Sequence, residues 1–263
     1  MTTLLLTSPD REAGTGVPRY TLRLAASDEE VAAAQRLRYR VFADEIGATL
    51  RTPLPGHDID PFDEHCDHMI VIDERTGEVV ATYRLLPPGR SRIRHSDTEF
   101  DLAGLDGIRG QLVETGRSCV HPDHRAGAAI NLVWAGIARY MHLYGYRYLG
   151  GCASVDVRDG GATAAAVWDR ARARHLSPEP WRVAPRRPWM PASDADSAAT
   201  GGAADGGRRP AVPPLLQGYL RLGAWICGAP AHDPEFACAD FYVLLDVAGI
   251  DARYMRHFLG ESR

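Results

Sequence analysis

The chain has 263 residues, with 34 acidic and 30 basic side chains, a formal net charge of −4 and 45% hydrophobic residues. This is the composition of a folded globular chain, and its charge suits no polyanion binder. All 30 bases are arginine, which excludes a lysine Schiff base, a lysine-anchored PLP enzyme and the phosphate-binding lysine of P-loop proteins and kinases.

Tyr20–Ala26 alternates as a first strand, after a loose tail over 1–17. Ser27 and Glu30 have the spacing of a capping box, and the helix behind them carries Val31, Ala34, Leu37, Val41 and Phe42 before a stop near Gly47. A long loop fills 48–66. Strands follow at His68–Asp73 and Glu78–Leu86, joined by a hairpin turn. Residues 88–109 read as loop with a short helix. Gln111–His121 is a strand interrupted by Gly116, and 127–144 a helix with Gly145 as its C-cap. A strand at Tyr148–Ser154 and a helix at Ala162–His175 come next. The Ala/Gly/Ser/Asp stretch 192–209 cannot bury a core and reads as a disordered insert. A helix at Leu215–Ile226 and a strand at Phe241–Leu245 close the pattern. The expected fold class is α/β: one domain over 18–260, with a mixed, mostly antiparallel sheet flanked by helices.

The five cysteines, Cys66, Cys119, Cys152, Cys227 and Cys238, form no CxxC pair. That argues against a disulfide framework or structural zinc and for reduced cytoplasmic thiols. No signal peptide and no apolar run of ~18 residues is read, so the expected location is cytoplasmic. His57, His65, Cys66 and His68 match no closed zinc site, and no metal is expected.

The most informative segment is Val113–Ala129 (VETGRSCVHPDHRAGAA). A strand ends at Val120, a turn follows, and a helix opens on small residues. Free N–H groups at such a helix start attract anions, and small residues let a phosphate approach. The null is an ordinary tight strand-to-helix turn. Charge is also divided along the chain. Residues 44–74 hold nine acids and one base, whereas 117–187 hold eleven arginines and five acids. The first stretch would suit a cationic substrate and the second a phosphate or an acidic protein; solvated loops are the plain alternative. Leu215–Ile226 is apolar enough to serve as core, acyl tunnel or membrane contact.

His124-Arg-Ala-Gly127-Ala-Ala129 has the spacing of the coenzyme A loop of GNAT acyltransferases, with His124 where a Gln or Arg usually stands. The run VETGRSCVHPDHRAGAAI, together with RYRVFADEIGA and LLQGYLRLGAWICGAPAHDPEFACADFYVLL, resembles the GNAT-type N-acyltransferases that make the lyso-lipid precursor of ornithine lipids. A more distant likeness is to acyl-homoserine-lactone synthases, although Gly47-Ala48 replaces their tryptophan after the first helix. The first resemblance implies transfer of a 3-hydroxyacyl chain from acyl carrier protein to the α-amine of ornithine or a similar amino acid. It implies no tightly bound cofactor, only an acyl-phosphopantetheine or acyl-CoA donor. It also implies acyl carrier protein as partner; the apolar 215–226 segment is the candidate for a peripheral membrane contact, and the charge balance speaks against nucleic acid.

The second likeness places a polar set on Arg38, Phe42, Asp60, Asp63, Arg84, Glu114 and Arg117. Thioester aminolysis needs a neutral amine, so a carboxylate must take its proton. Glu114 is the candidate catalytic base, with Arg117 beside it. A bulge near Gly116 would bring both onto one face; a plain structural ion pair is the alternative. Arg38, Phe42, Asp60, Asp63 and Arg84 are read as substrate-binding. Arg38 would pair with Glu114 or with a substrate carboxylate. Val120, His124, Arg125, Gly127 and Ala129 are read as binding the donor. Three other readings stay open: an acyl-homoserine-lactone-type synthase, a non-catalytic carrier-protein or lipid-binding module, and an acetyl-CoA transferase.

Overall fold

Alternation and capping produce a mixed α/β structure. In chain order its elements are β1 (Leu4–Thr7), β2 (Tyr20–Leu24), α1 (Asp28–Tyr39), β3 (Asp67–Asp73), β4 (Val79–Leu86), α2 (His95–Glu99), β5 (Phe100–Asp101), β6 (Leu112–Val120), α3 (Ala128–Tyr144), β7 (Tyr148–Asp156), α4 (Ala162–Arg174), β8 (Ala184–Pro185), a helix at Pro214–Arg221, β9 (Trp225–Ile226), β10 (Ala231–Asp233), β11 (Cys238–Asp246) and a helix at Ala252–Leu259. This computed structural model describes residues 4–7, 19–125, 127–191 and 211–259. The 192–209 insert lies outside them. The chain groups into two units. One comprises 1–92, 111–147 and 250–263; the other comprises 93–110 and 148–249.

In the first unit β1, β2, β3, β4 and β6 pair in that order, each antiparallel to the next. Leu4–Thr7 falls within the expected tail, but its apolar residues cover the edge that β2 would otherwise expose. Ser27 caps α1 by accepting from Glu30 N at 3.3 Å. Glu30 reaches back to Ala26 N at 2.7 Å, with a backbone bond from Ser27 as well, and it also accepts from Arg23. That arginine bond holds the Glu30 pKa down to about 2. Beyond Tyr39 the helix widens to π geometry over Arg40–Glu45, with Ile46 N bonding Val41 O at 3.0 Å, and it ends at Gly47.

The strand period sorts the side chains. Arg23, Ile70, Thr82 and Arg84 face α1, and Leu22, Met69 and Tyr83 face the opposite way. α3 covers that second face at close range. A Cβ on its Gly136 would lie 2.7 Å from both Leu22 methyls and 2.9 Å from Met69 Sδ. Gly145, at φ 68°, ends α3 in the left-handed conformation expected of its C-cap.

The second unit is built on β7 and β11, antiparallel from Cys238↔Asp156 to Asp246↔Tyr148, with β9 and β10 also paired to β11. β5 and β8 form a separate two-stranded ladder. The helix expected over Leu215–Ile226 stops at Arg221, because Gly223 turns the chain at φ 92° and Trp225–Ile226 joins β11 instead. Leu216, Tyr219 and Leu220 bury its apolar side. Burial, and then the nearby Glu99 carboxylate, push the pKa of Asp240 well above the usual carboxylate range. No described helix is long and apolar enough to cross a membrane.

The contact at Gly136 sets a testable limit. Gly136→Leu is expected to lower stability by about 1–3 kcal/mol through overpacking, read as a lower midpoint in urea denaturation.

Candidate active site

Between α1 and the sheet of the first unit, three arginines meet three aspartates. Arg38 comes from α1, Arg84 from β4 and Arg117 from β6; Asp58, Asp60 and Asp63 come from the loop between α1 and β3. Arg38 is fully buried. Its Nε donates to Asp58 Oδ2 at 2.9 Å, and its Nη1 and Nη2 donate to the two oxygens of Asp63 at 3.1 and 2.7 Å. Arg38 also donates to the Asp58 carbonyl. Arg84 Nη1 lies 2.8 Å from Asp60 Oδ1 and 3.0 Å from Asp63 Oδ1. Arg117 Nη2 donates to Asp60 Oδ2 at 2.9 Å, and its Nε stands 3.3 Å from Asp58 Oδ2.

The aspartate loop is shaped by its own backbone bonds. Phe62 N donates to Asp60 Oδ1 at 2.7 Å and Asp60 N to Asp63 Oδ2 at 3.3 Å. Gln35 Nε2 donates to Asp63 Oδ2 at 2.9 Å, and Asp58 N donates to Gln35 O. His68 Nε2 sits 3.0 Å from Asp63 O, and burial lowers its pKa. Desolvation alone would raise the pKa of Asp63. The bonds and charges of Arg38, with the charge of Arg84, outweigh it and hold this carboxyl below the usual range. Arg84 likewise moves up against its own burial, held charged by Asp60 and Asp63.

This geometry differs from the role read for the acidic loop. The carboxylates of Asp58, Asp60 and Asp63 are turned onto arginines of the same unit rather than toward solvent. Arg38 pairs with Asp58 and Asp63, where Glu114 or a substrate carboxylate was expected. Asp58 is the member that sequence reasoning left out of the site. Its signal was the Asp58, Asp60, Asp63 spacing opposite three arginines on regular elements. Phe42, one helical turn beyond Arg38, is buried core at 8% exposure.

β6 carries the irregularity. Thr82 pairs with Cys119 and Arg84 with Gly116, so Tyr83 alone opposes both Arg117 and Ser118. One extra residue is therefore inserted, and Arg117 adopts φ 50°. The left-handed region costs a non-glycine residue about 1–2 kcal/mol. Glu114 lies across from Leu86, two residues from Arg84 on β4, so it shares the α1 face; it is buried at 4% exposure. Cys119 is also buried, which pushes its thiol up to about 12. A protonated thiol is a poor nucleophile.

Just beyond β6, Val120 O accepts from Arg125 Nε at 3.0 Å, and Arg125 grips Glu45 with both Nη atoms at 2.6 and 2.8 Å. This pairing lowers the Glu45 pKa and ties the π-helical turn to the loop. His124 Nδ1 is 2.9 Å from Tyr20 Oη, and His121 Nε2 is 2.9 Å from Arg40 Nη1. Gly127, at φ 105°, stands at the N-cap of α3, which no side chain caps. Ala129, in the first turn, is fully buried. Ala126 lies outside the described residues. The group of possible metal ligands that converges within 4.8 Å is Asp233, Cys238 and Asp240 of the second unit.

The chain matches the Acetyltransferase (GNAT) domain model over residues 37–135, a span that holds the charge network, the bulge and the α3 N-terminus. Solved structures of similar fold include a CoA-dependent acyl-homoserine lactone synthase (16% identity, TM-score 0.52, covering 90% of this chain and 84% of that one). Another is FeeM, an N-acyl amino acid synthase from uncultured soil microbes (14% identity, TM-score 0.54, covering 89% and 94%). The class is thus a GNAT-type acyltransferase. Over 252 residues the chain is 34% identical to an L-ornithine N(alpha)-acyltransferase of Rhodobacter capsulatus, covering 91% of this chain and 94% of that protein. A Brucella abortus protein of the same name is 32% identical, covering 92% and 89%. The chain belongs to this L-ornithine N(alpha)-acyltransferase family.

The depressed Asp63 carboxyl has a direct consequence. Above the unfolded carboxylate pKa, its ionised pairing stabilises the fold; that contribution is lost as pH falls toward the lower folded value. The lowered His68 pKa acts in the same direction, its contribution being lost as pH falls below the unfolded imidazole value of about 6.5. Stability from urea midpoints should therefore begin to fall below about pH 6.5 and fall further below about pH 3.8. Asp63→Ala, which takes one of two carboxylate partners from both buried Arg38 and buried Arg84, should cost about 3–5 kcal/mol at pH 7.

Proposed function

We propose that this protein transfers a 3-hydroxyacyl chain from acyl carrier protein to the α-amine of ornithine, giving a lyso-ornithine-lipid-type product. The observation that carries the reading is the end-to-end identity to named ornithine acyltransferases, combined with buried Glu114 on the α1 face next to a bulged strand.

In this reading the amine attacks the thioester carbonyl directly. Glu114 takes the amine proton, directly or through a water, and the bulge turns a backbone amide of β6 toward the developing oxyanion. The C–N bond forms first, giving the tetrahedral oxyanion; the C–S bond then breaks, and the extra proton on nitrogen passes to the departing thiolate, so that the phosphopantetheine leaves as its thiol. No cysteine takes part. The first-turn amides of α3 receive the pantetheine phosphate. Exposed Arg36, Arg40 and Arg125, with half-buried His121, line the approach for the acidic surface of the carrier protein.

Purified enzyme should release free carrier-protein thiol from a 3-hydroxyacyl donor when ornithine is added; no release with any amino acid would sink the proposal. Acetyl-CoA serving as well as the long-chain donor would favour an ordinary acetyltransferase. Glu114→Gln should lower turnover by about 10²–10⁴ while carrier-protein binding persists in a titration. Unchanged turnover would remove Glu114 as the base.

A further inference from the structure

We propose that Asp58 is a positioning residue for acyl transfer, acting through Arg117 to hold β6 in its bulged shape. The proposal rests on the acyl-transfer reading above.

The left-handed backbone at Arg117 needs support, because an arginine gains nothing intrinsic from φ 50°. Its side chain supplies that support by reaching two carboxylates. Asp60 accepts a hydrogen bond from Nη2 at 2.9 Å. Asp58 meets Nε at 3.3 Å as an ion pair without hydrogen-bond alignment.

The two aspartates are not equivalent. Asp60 also holds Arg84 at 2.8 Å, so removing it leaves that buried arginine with a single carboxylate contact, to Asp63 Oδ1 at 3.0 Å. Asp58 shares its Oδ2 between Arg117 and Arg38, and Arg38 keeps both oxygens of Asp63. The Asp58 backbone is fixed separately, its N–H to Gln35 O and its carbonyl to Arg38. Asp58→Asn therefore removes one charge and leaves the loop anchored.

What remains is three guanidiniums against two carboxylates. The arginine best able to relieve that excess is the most exposed one. Arg117 has 17% side-chain exposure, against 0% for Arg38 and 5% for Arg84. It is also the one whose backbone is strained. Losing the Asp58 charge thus weakens the hold on Arg117, which keeps its bond to Asp60 but can swing toward water more easily, and β6 then relaxes between Gly116 and Cys119. Glu114 keeps its buried place, while the oxyanion amide moves.

The test uses the full-length enzyme with 3-hydroxyacyl carrier protein and ornithine. Asp58→Asn should lower kcat about tenfold, with KM for ornithine changed less than about twofold. Asp58→Glu, which restores a carboxylate, should recover most of the loss. Amide hydrogen exchange should quicken over residues 116–119 and stay unchanged in β2 and α3. Unchanged exchange over 116–119 would overturn the proposal, as would quickening spread through the whole first unit. If wild-type enzyme transfers no acyl group, the acyl-transfer reading fails, while the exchange data still decide whether Asp58 holds the bulge.

Discussion

Burying three guanidinium and three carboxylate groups together strips each of water, at a cost of several kcal/mol per ion. The first unit offsets this by making every charge serve two neighbours. Asp63 binds Arg38 and Arg84, Asp60 binds Arg84 and Arg117, and Asp58 binds Arg117 and Arg38. The result is a closed ring of alternating sign. Because its members come from α1, β4, β6 and the α1–β3 loop, the ring fixes four separate pieces of chain against one another. Such an arrangement adds little net stability over a hydrophobic core of similar volume. What it supplies is register, and in β6 it supports a backbone shape that the strand would not adopt alone.

The strand proposed to carry the chemistry is built around that shape. A regular strand would send Glu114 and Arg117 to opposite faces. With one extra residue at Arg117–Ser118, both serve the α1 face, Glu114 by its register with Leu86 and Arg117 by its reach to Asp60. The same strand leads through Val120 into the Pro122–Arg125 turn and the uncapped start of α3. Carboxylate, bulge and helix N-terminus thus lie along one short stretch of chain. The bidentate Arg125–Glu45 pair closes it against the end of the first helix.

Much of this was legible in the residues, because local signals and tertiary packing agree there. Ser27 and Gly145 mark real helix ends, and alternation marks β2, β3 and β4. The helix expected over 215–226 ends early, because an apolar run says nothing of the φ that Gly223 adopts. β1 was hidden because four residues carry too little period to stand out from a Thr- and Gly-rich tail. In the candidate site, the residue types and the bulge could be anticipated. The pairing could not, since Arg38, Asp58 and Arg117 are distant in sequence and any of them could have faced a substrate. Burial decides such cases, and burial is a property of the folded chain. The missing lysines also take on a narrower meaning. A planar guanidinium with several donors can bridge two carboxylates, as each of these three does, and an ammonium is a poor substitute in that role.

The central claim is that the acyl group passes straight from thioester to amine, with no acyl-enzyme on the way. Buried Cys119, whose thiol burial pushes up to about 12, and the proposed carboxylate base Glu114 both point to this. Intact-mass spectrometry of the enzyme, quenched after mixing with 3-hydroxyacyl carrier protein alone, tests it most directly. The account predicts unmodified enzyme until ornithine is added, and then free product with the enzyme mass still unchanged. A covalent adduct of one acyl mass on the enzyme, formed without ornithine and discharged by it, would contradict the account.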